Sequence, residues 1–447
     1  MSSRRQFIAT VACGAAAAIA VPGRAQVATA PATAPATAPS APPSPKGKLQ
    51  QAFGLNLHLD RFSVELRRKQ LAMARAMGVQ WIRGVSAAWY YVEHKPGKRD
   101  YGRPDSQLES LEQFGMKTVG GLGYAPAWSS QHDPNREKQP WGLGKYPPDD
   151  IKAWSSFVHD TVARYRGRID VWSTWNEPDS RHFFFPEPPK DFSGDNEAFL
   201  LLRRQSFMDL QRAAYAAAKK ANPDCILLSG AFAVGGTRTD LGFVRWCIEN
   251  GLADACDAVD LHTYWSTANL RKVVTDARTW MKQQGKERPI WMTEFGAGLR
   301  EDKTWIGEFS HEQIQSFVPK ALATAQALGV ERVFWYQGYT DGSNPTPLEK
   351  SNYSLNVTAG PTPAAWSFMA TAPILGPAEY IGDATMETKS GKARAYRFRT
   401  DAGELVIAWA DHPDGLDNRS ATAEAVLNTP NGPVPLTLSE RPTMLLF

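Results

Sequence analysis

Two glutamates in this 447-residue chain each close an apolar run. Glu177 follows Val171-Trp172-Ser173-Thr174-Trp175-Asn176, and Glu294 follows Ile290-Trp291-Met292-Thr293. A carboxylate ending an apolar strand either sits at an open rim or is buried at a cost of several kcal/mol. One such acid alone could be the partner of a structural ion pair. Two of them, on strands that face each other, suit paired carboxylate chemistry, in which a protonated group donates and an ionised group attacks. Their surroundings have to push the two proton affinities apart.

The elements that would position this pair alternate along the chain. Short apolar runs occur at 52–57, 79–83, 117–122, 169–175, 225–231, 257–263, 289–294 and 332–337. Helical periods fall between most of them. Ser63 can cap a helix that carries Val64, Leu66, Leu71 and Met73 and stops at Gly78. Ile151, Trp154, Val158, Val162 and Tyr165 recur at helical spacing, and further helical segments fall at 196–220, 239–250, 269–284, 311–328 and 362–371. Strand–helix alternation of this kind builds a parallel sheet. Eight units over residues 49–374 predict a closed (β/α)₈ TIM barrel, with an open doubly wound sheet as the alternative. The open sheet would want a glycine-rich phosphate loop after its first strand, and Gly54-Leu55-Asn56-Leu57-His58 is not one. From 375 to 447 short alternating runs separated by turn residues predict a small antiparallel, β-sandwich-like domain.

The first residues read as an address. Arg4-Arg5 precede an apolar run from Phe7 to Val21, which resembles a twin-arginine export signal over residues 1–25. Residues 26–48 are rich in Ala, Pro and Thr and form an extended linker. Periplasmic or secreted placement follows as an expectation, an uncleaved anchor being the alternative.

Further residues join the two acids. Arg83 ends the second strand in Trp81-Ile82-Arg83, His262-Thr263-Tyr264 ends the sixth, and Trp335 lies on the eighth. Asn176-Glu177-Pro178 and Thr293-Glu294-Phe295-Gly296, 117 residues apart, together with these elements resemble the clan A retaining glycoside hydrolases. The resemblance covers roughly residues 50–372. It implies Glu177 as acid/base, Glu294 as nucleophile, Arg83 and Tyr264 as holders of the nucleophile, Asn176 at the sugar 2-hydroxyl and Trp335 as the floor of the sugar site. His262 reads either as a structural histidine or as a contact near the sugar. Gly123-Tyr124-Ala125-Pro126-Ala127-Trp128 looks like family 39 and related exopolysaccharide endoglycosidases, with family 5 as the competitor. Double displacement wants the carboxyl groups about 5–5.5 Å apart. A β-linked poly- or oligosaccharide is the expected substrate. A non-catalytic saccharide-binding or exopolysaccharide-assembly protein on the same barrel is the alternative.

Composition narrows the partners. The chain carries 15 Trp, and sugars lie well on aromatic faces, so Tyr124, Trp128, Trp265 and Trp89 join Trp335 as candidate substrate contacts. The formal charge of +4 owes most of its excess to Arg4, Arg5 and Arg24, so the body is nearly neutral and makes no nucleic-acid footprint. Outside the leader no run reaches the length of a membrane span, and a monomer is expected. Metal, phosphate-loop and serine-elbow motifs are missing, so no cofactor is expected. Cys225, Cys247 and Cys256 fit no metal spacing and read as buried thiols or a Cys247–Cys256 bridge.

Overall fold

The structure is a computed structural model of the full chain. It describes residues 8–9, 52–130, 144–188, 196–234, 241–298, 309–340, 354–357, 360–429 and 432–447. The expected leader and linker lie outside the described residues, apart from Ile8 and Ala9. These two pair antiparallel with Leu445 and Met444.

Eight parallel strands form the body: β1 (Phe53–Asn56), β2 (Trp81–Ser86), β3 (Lys117–Gly121), β4 (Val171–Ser173), β5 (Ile226–Leu228, resuming at Phe232–Ala233), β6 (Val259–Tyr264), β7 (Ile290–Gly296) and β8 (Arg332–Trp335). Each pairs with its neighbours in sequence, and β8 returns to β1. The two halves of β5 reach opposite ways. Ile226–Leu228 pairs with β4 and Phe232–Ala233 with β6, while a Leu228–Ala258 bridge completes the ring. The sheet is therefore closed, and the open-sheet alternative falls.

The helices that cover it are α1 (Val64–Ala76), α2 (Gly102–Glu112), α3 (Ile151–Arg164), α4 (Asn196–Ala221), α5 (Leu241–Glu249), α6 (Thr267–Gln283), α7 (His311–Ala327) and α8 (Pro363–Leu375). Ser63 caps α1 as its position suggested, its hydroxyl accepting from Leu66 N at 3.3 Å. The face α1 buries is Arg67, Gln70, Leu71 and Ala74, and Val64 is left exposed.

Side-chain alternation fills the barrel floor. Trp81, Val119, Val171, Leu228, Trp291 and Phe334 come from six strands, Ala258 stands just before β6, and together they form one buried cluster. β1 contributes Gly54, where a Cβ would meet the Phe334 ring at 2.6 Å, so glycine is what lets that ring lie across the floor. The reactive ends of the strands stand above this plug.

After α8 come β9 (Glu379–Asp383), β10 (Met386–Ser390), β11 (Ala393–Thr400), β12 (Gly403–Ala410), β13 (Thr422–Thr429), β14 (Gly432–Ser439) and β15 (Thr443–Leu446). They make two antiparallel sheets, β9-β11-β12-β15 and β10-β13-β14. Val406, Ala408, Ala425, Leu427 and Leu438 fill the space between the sheets. Tyr396, Phe398, Leu405, Ile407 and Trp409 join the core of the barrel instead. Cys225, Cys247 and Cys256 are buried and not joined to one another by a disulfide. Among the described residues no helix is long and apolar enough to cross a membrane.

One buried ion pair fastens the β-domain to the barrel. Asp417 accepts from the Thr267 backbone N at 2.7 Å and from its hydroxyl at 2.9 Å, at the start of α6. It also pairs with Lys320 of α7 at 2.8 Å, with both side chains at or below 5% exposure. A carboxylate at a helix N-terminus is favoured by the helix dipole. Replacing Asp417 with Ala strands the Lys320 ammonium in the interior, and the expected loss is about 3–5 kcal/mol of unfolding free energy. Denaturant titration of the two proteins measures it, and a loss under about 1 kcal/mol contradicts the pairing.

Candidate active site

The strands deliver their acids by parity. On β6, Asp260, His262 and Tyr264 stand two apart and share the inner face, while Leu261 joins the outer core. On β7, Thr293 and Glu294 are consecutive, yet both engage inner-face partners. The pairing with β6 slips by one residue here, since Asp260 faces Trp291 whereas His262 faces Glu294. Such an irregularity re-aims a side chain beside an active site, and it frees two consecutive residues to point inward. A second slip, on the β2–β3 ladder between Arg83 and Val85, adjoins the arginine.

Glu294 is 7% exposed and fully engaged. One oxygen pairs with the Arg83 guanidinium, and the other accepts from the Tyr264 hydroxyl. Asn56 of β1 approaches the first oxygen at 3.5 Å. Arg83 also donates to Asn176 Oδ1 at 2.8 Å, which ties the arginine to the segment that carries Glu177.

Glu177 follows β4 on a backbone with φ of +47°, in the left-handed region. Conformations of that kind cost about 1–3 kcal/mol and cluster at functional sites. The surroundings hold it there. Glu177 N donates to Ala231 O at 2.7 Å, and the buried Arg203 of α4 donates to Pro178 O at 3.0 Å. Glu177 Oε1 meets His262 Nδ1 at 3.0 Å. His262 Nε2 meets the Thr293 hydroxyl at 2.9 Å, and that hydroxyl meets Asp260 Oδ2 at 2.7 Å.

The charges separate as paired carboxylate chemistry requires. Burial raises the proton affinity of Glu177, and the neighbouring Glu294 raises it further, so its carboxyl titrates well above the usual range. Burial acts on Glu294 in the same sense, but His262, Arg83 and Tyr264 together overcome it and hold Glu294 below the usual range. Burial also keeps His262 below the ordinary imidazole range, and Arg83 is the permanent cation on Glu294. Burial holds the Tyr264 hydroxyl protonated, as a donor to Glu294.

The structure also brings in residues that the sequence reading passed over. Asn56, Asp260 and Thr293 belong to the network above. His58 and Tyr336 meet at 3.1 Å through Nε2 and the phenol oxygen, and the Tyr336 ring stands edge-on to Tyr264 at 6.2 Å. Asp179 is 2% exposed and accepts from Ala233 N at 2.9 Å. Burial, with Glu177 adding to it, pushes Asp179 up to about 7. Alternation signals Asp260, two residues before His262, and Tyr336, two residues after the inward Phe334.

Two expected sugar contacts are corrected. Trp335 is fully buried on the outer face of β8, at 6.1 Å from the Phe295 ring and 6.2 Å from Phe317 of α7. Its neighbour Tyr336 has the inward parity and meets the site. Trp89 is also fully buried, stacked on Phe157 at 5.4 Å, with its indole N–H donating to Glu93 at 2.8 Å. Trp128, Tyr124 and Trp265 remain half-buried. Tyr124 stands edge-on to Trp175 at 5.4 Å, Trp128 donates to Glu93 O at 2.8 Å, and Trp265 lies beside Tyr264 at 5.3 Å with φ of +65°.

An oxygen of Glu177, an oxygen of Glu294 and a ring nitrogen of His262 lie within 4.8 Å of one another, the one grouping among the described residues with the donors a cation could use. Arg83 and Tyr264 already occupy both oxygens of Glu294, so the set is committed to proton and carboxylate chemistry.

Comparison with known proteins agrees with this geometry. Residues 184–367 match the family described as the glycosyl hydrolase catalytic core, a span that includes Glu294. No curated protein matches the chain by sequence. Among solved structures, a family 39 glycoside hydrolase from Bacteroides cellulosilyticus WH2 superposes with a TM-score of 0.63 at 19% identity, over 88% of this chain and 80% of that one. A monomeric β-xylosidase from Caulobacter crescentus CB15 gives 0.58 at 14% identity, over 83% and 76%. A family 5 subfamily 18 protein from Streptomyces cattleya gives 0.52 at 14% identity, over 72% and 79%. The matched span resembles a glycosyl hydrolase catalytic core, and the architecture around it is the fold seen in family 39.

Proposed function

We propose that the chain is an exported retaining glycosidase that cleaves a β-linked oligo- or polysaccharide by double displacement. The carrying observation is the close approach of Glu177 and Glu294, with oxygens within 4.8 Å, in opposite electrostatic surroundings. That separation suits a covalent intermediate. An inverting pair stands about 6.5–9.5 Å apart to admit a water. In this reading Glu294, ionised beside Arg83, attacks the anomeric carbon while Glu177 protonates the leaving oxygen. Glu177 then takes a proton from the water that releases the sugar. Asn176, half-buried and held by Arg83, faces the sugar 2-hydroxyl. The β-xylosidase among the structural relatives supports a β-glycoside as substrate. Arg4-Arg5 and the apolar run behind them support export, which fractionation of cells producing the full chain tests.

The purified protein is expected to release product from at least one member of a panel of aryl β-glycosides and β-glycans, with the β-anomer formed first by NMR. The α-anomer as first product overturns the retaining assignment. Glu294→Gln is expected to abolish turnover. Glu177→Gln is expected to slow glycosides with poor leaving groups far more than activated aryl glycosides, because only the former need the proton.

The pH profile of kcat/KM follows from the two shifts. Activity needs Glu294 ionised and Glu177 protonated. It is expected to fall at low pH as Glu294 protonates, below the ordinary carboxylate range, and at high pH as Glu177 loses its proton near about 8. Stability carries the same sign for Glu177. The folded chain holds this proton after the unfolded chain has released it, so stability drops as pH rises between the two values. Glu177→Gln removes that drop, and its advantage over the parent protein in denaturant titration is expected to grow from pH 5 to pH 8.

A further inference from the structure

Asp260 has no role in the double displacement just described, yet it is fully buried on the inner face of β6. Its Oδ1 accepts from the Thr293 backbone N at 3.0 Å, and its Oδ2 meets the Thr293 hydroxyl at 2.7 Å. From there the contacts run on through His262 to Glu177, at 2.9 and 3.0 Å. Thr293 is fully buried and His262 is 1% exposed, so solvent does not interrupt the line.

The donor count of this line is tightly constrained. A threonine hydroxyl has one proton, and a neutral imidazole has one N–H. A hydroxyl placed between two partners donates to one and accepts from the other. Only two arrangements then satisfy every contact. In the first, Thr293 donates to the Asp260 carboxylate, His262 Nε2–H donates to Thr293, and Nδ1 accepts from a protonated Glu177. In the second every bond is reversed. A protonated Asp260 donates to Thr293, Thr293 donates to Nε2, and Nδ1–H donates to the Glu177 carboxylate. Three hops interconvert them: the Asp260 proton passes to Thr293 Oγ1, the Thr293 proton to His262 Nε2, and the Nδ1 proton to Glu177 Oε1. One proton moves in net terms from one carboxyl to the other, and neither Thr293 nor His262 changes charge.

We propose that Asp260, Thr293 and His262 form a proton relay ending on Glu177, in which Asp260 is the positioning residue that decides whether the acid/base carries its proton. The inference deepens the reading of Glu177 given above and rests on it. The first arrangement loads the acid for the glycosylation step. Once Glu177 has given its proton to the leaving group, its carboxylate faces the Nδ1 lone pair of His262, acceptor against acceptor. That mismatch favours regaining a proton, which is what the water-activating step needs. The charged and titratable groups around Glu177 and Asp260 are Glu294, whose Oε2 lies 3.6 Å from His262 Nδ1, with Arg83, Asp179, Tyr264 and Tyr124.

Asp260→Asn tests the relay because the amide reverses its polarity. The amide oxygen takes the Thr293 backbone N–H, which leaves the NH₂ group facing the Thr293 hydroxyl as a donor. The hydroxyl then donates to Nε2, and Nδ1–H donates to Glu177 and favours its ionised form. The basic limb of kcat/KM is expected to move to lower pH by roughly one unit or more. In protein labelled with ¹⁵N-histidine, His262 is expected to change from the Nε2–H tautomer to the Nδ1–H tautomer. Thr293→Val cuts the line, so Asp260→Asn placed on it is expected to add no further shift, whereas Thr293→Ser keeps the parent profile. A folded Asp260→Asn protein with the parent tautomer and an unmoved basic limb overturns the relay. If Asp260→Asn does not fold, Thr293→Val against Thr293→Ser carries the same comparison, and equal profiles and tautomers for these two overturn it. If the parent protein cleaves no glycoside, the acid/base reading of Glu177 is what fails, and the tautomer comparison still decides the relay.

Discussion

Two carboxylates within 4.8 Å in a buried site cannot both be charged at modest cost, and the rest of the molecule is arranged around which one yields. Repulsion between like charges that close raises one proton affinity. It does not choose the group. Arg83 chooses, because its guanidinium lies directly on Glu294, while its other bond goes to Asn176 beside Glu177. Tyr264 adds a donor to the same side. Glu177 receives instead the His262 ring, whose Nδ1 lies 3.0 Å from it and 3.6 Å from Glu294.

The fold reaches this asymmetry with backbone devices rather than with many side chains. The one-residue slip between β6 and β7 turns Thr293 and Glu294 to the same side, so one strand end supplies both the hydroxyl of the proposed relay and the proposed nucleophile. Glu177 is carried on a left-handed backbone position that a regular strand would not offer. The strain is contained by Ala231 O and by the buried Arg203, which grips the segment beyond Pro178. Further out, Asp417 of the β-domain joins the starts and flanks of α6 and α7, the helices that follow the strands bearing Tyr264 and Glu294. Precision at the rim thus draws on packing well outside it.

Much of this was legible in the residues, and the failures share a physical cause. Eight apolar runs and the helical periods between them located the barrel because buried parallel strands are continuous in hydrophobicity. α2 was missed because its buried face includes Pro104, Gln107 and Ser110, polar or helix-breaking types that leave little apolar period. The acid pair stood out because a charge at the end of an apolar run is costly. The aromatic contacts were harder. Trp335 has the expected type and strand but the wrong parity, and Tyr336 faces the site instead. Trp89 is buried because its indole N–H finds Glu93 and its ring finds Phe157. Residue type alone does not separate a ring that packs from one that faces a cleft. The slip on β7 leaves no mark in the sequence, so Thr293 could not be placed beside Asp260 before the register was known.

The two supporting groups differ in kind for a reason that follows from the cycle. In the proposed cycle Glu294 has to be ionised whenever it attacks, and no later step asks it to keep a proton. A permanent cation is the right partner, since a guanidinium never releases its charge at the pH of the reaction. Under the same proposal Glu177 is an acid in one half of the cycle and a base in the other. An arginine beside it would hold it ionised and remove the acid, and an aliphatic neighbour would leave it protonated and weaken the base. Imidazole can donate or accept through the same nitrogen according to what its other nitrogen meets. Placed at 3.0 Å from Glu177, with Thr293 behind it, His262 matches either state of the acid/base without a net charge of its own. The division of labour between the two glutamates is therefore written in the chemistry of their neighbours, a fixed cation for the group with one task and a reversible donor for the group with two.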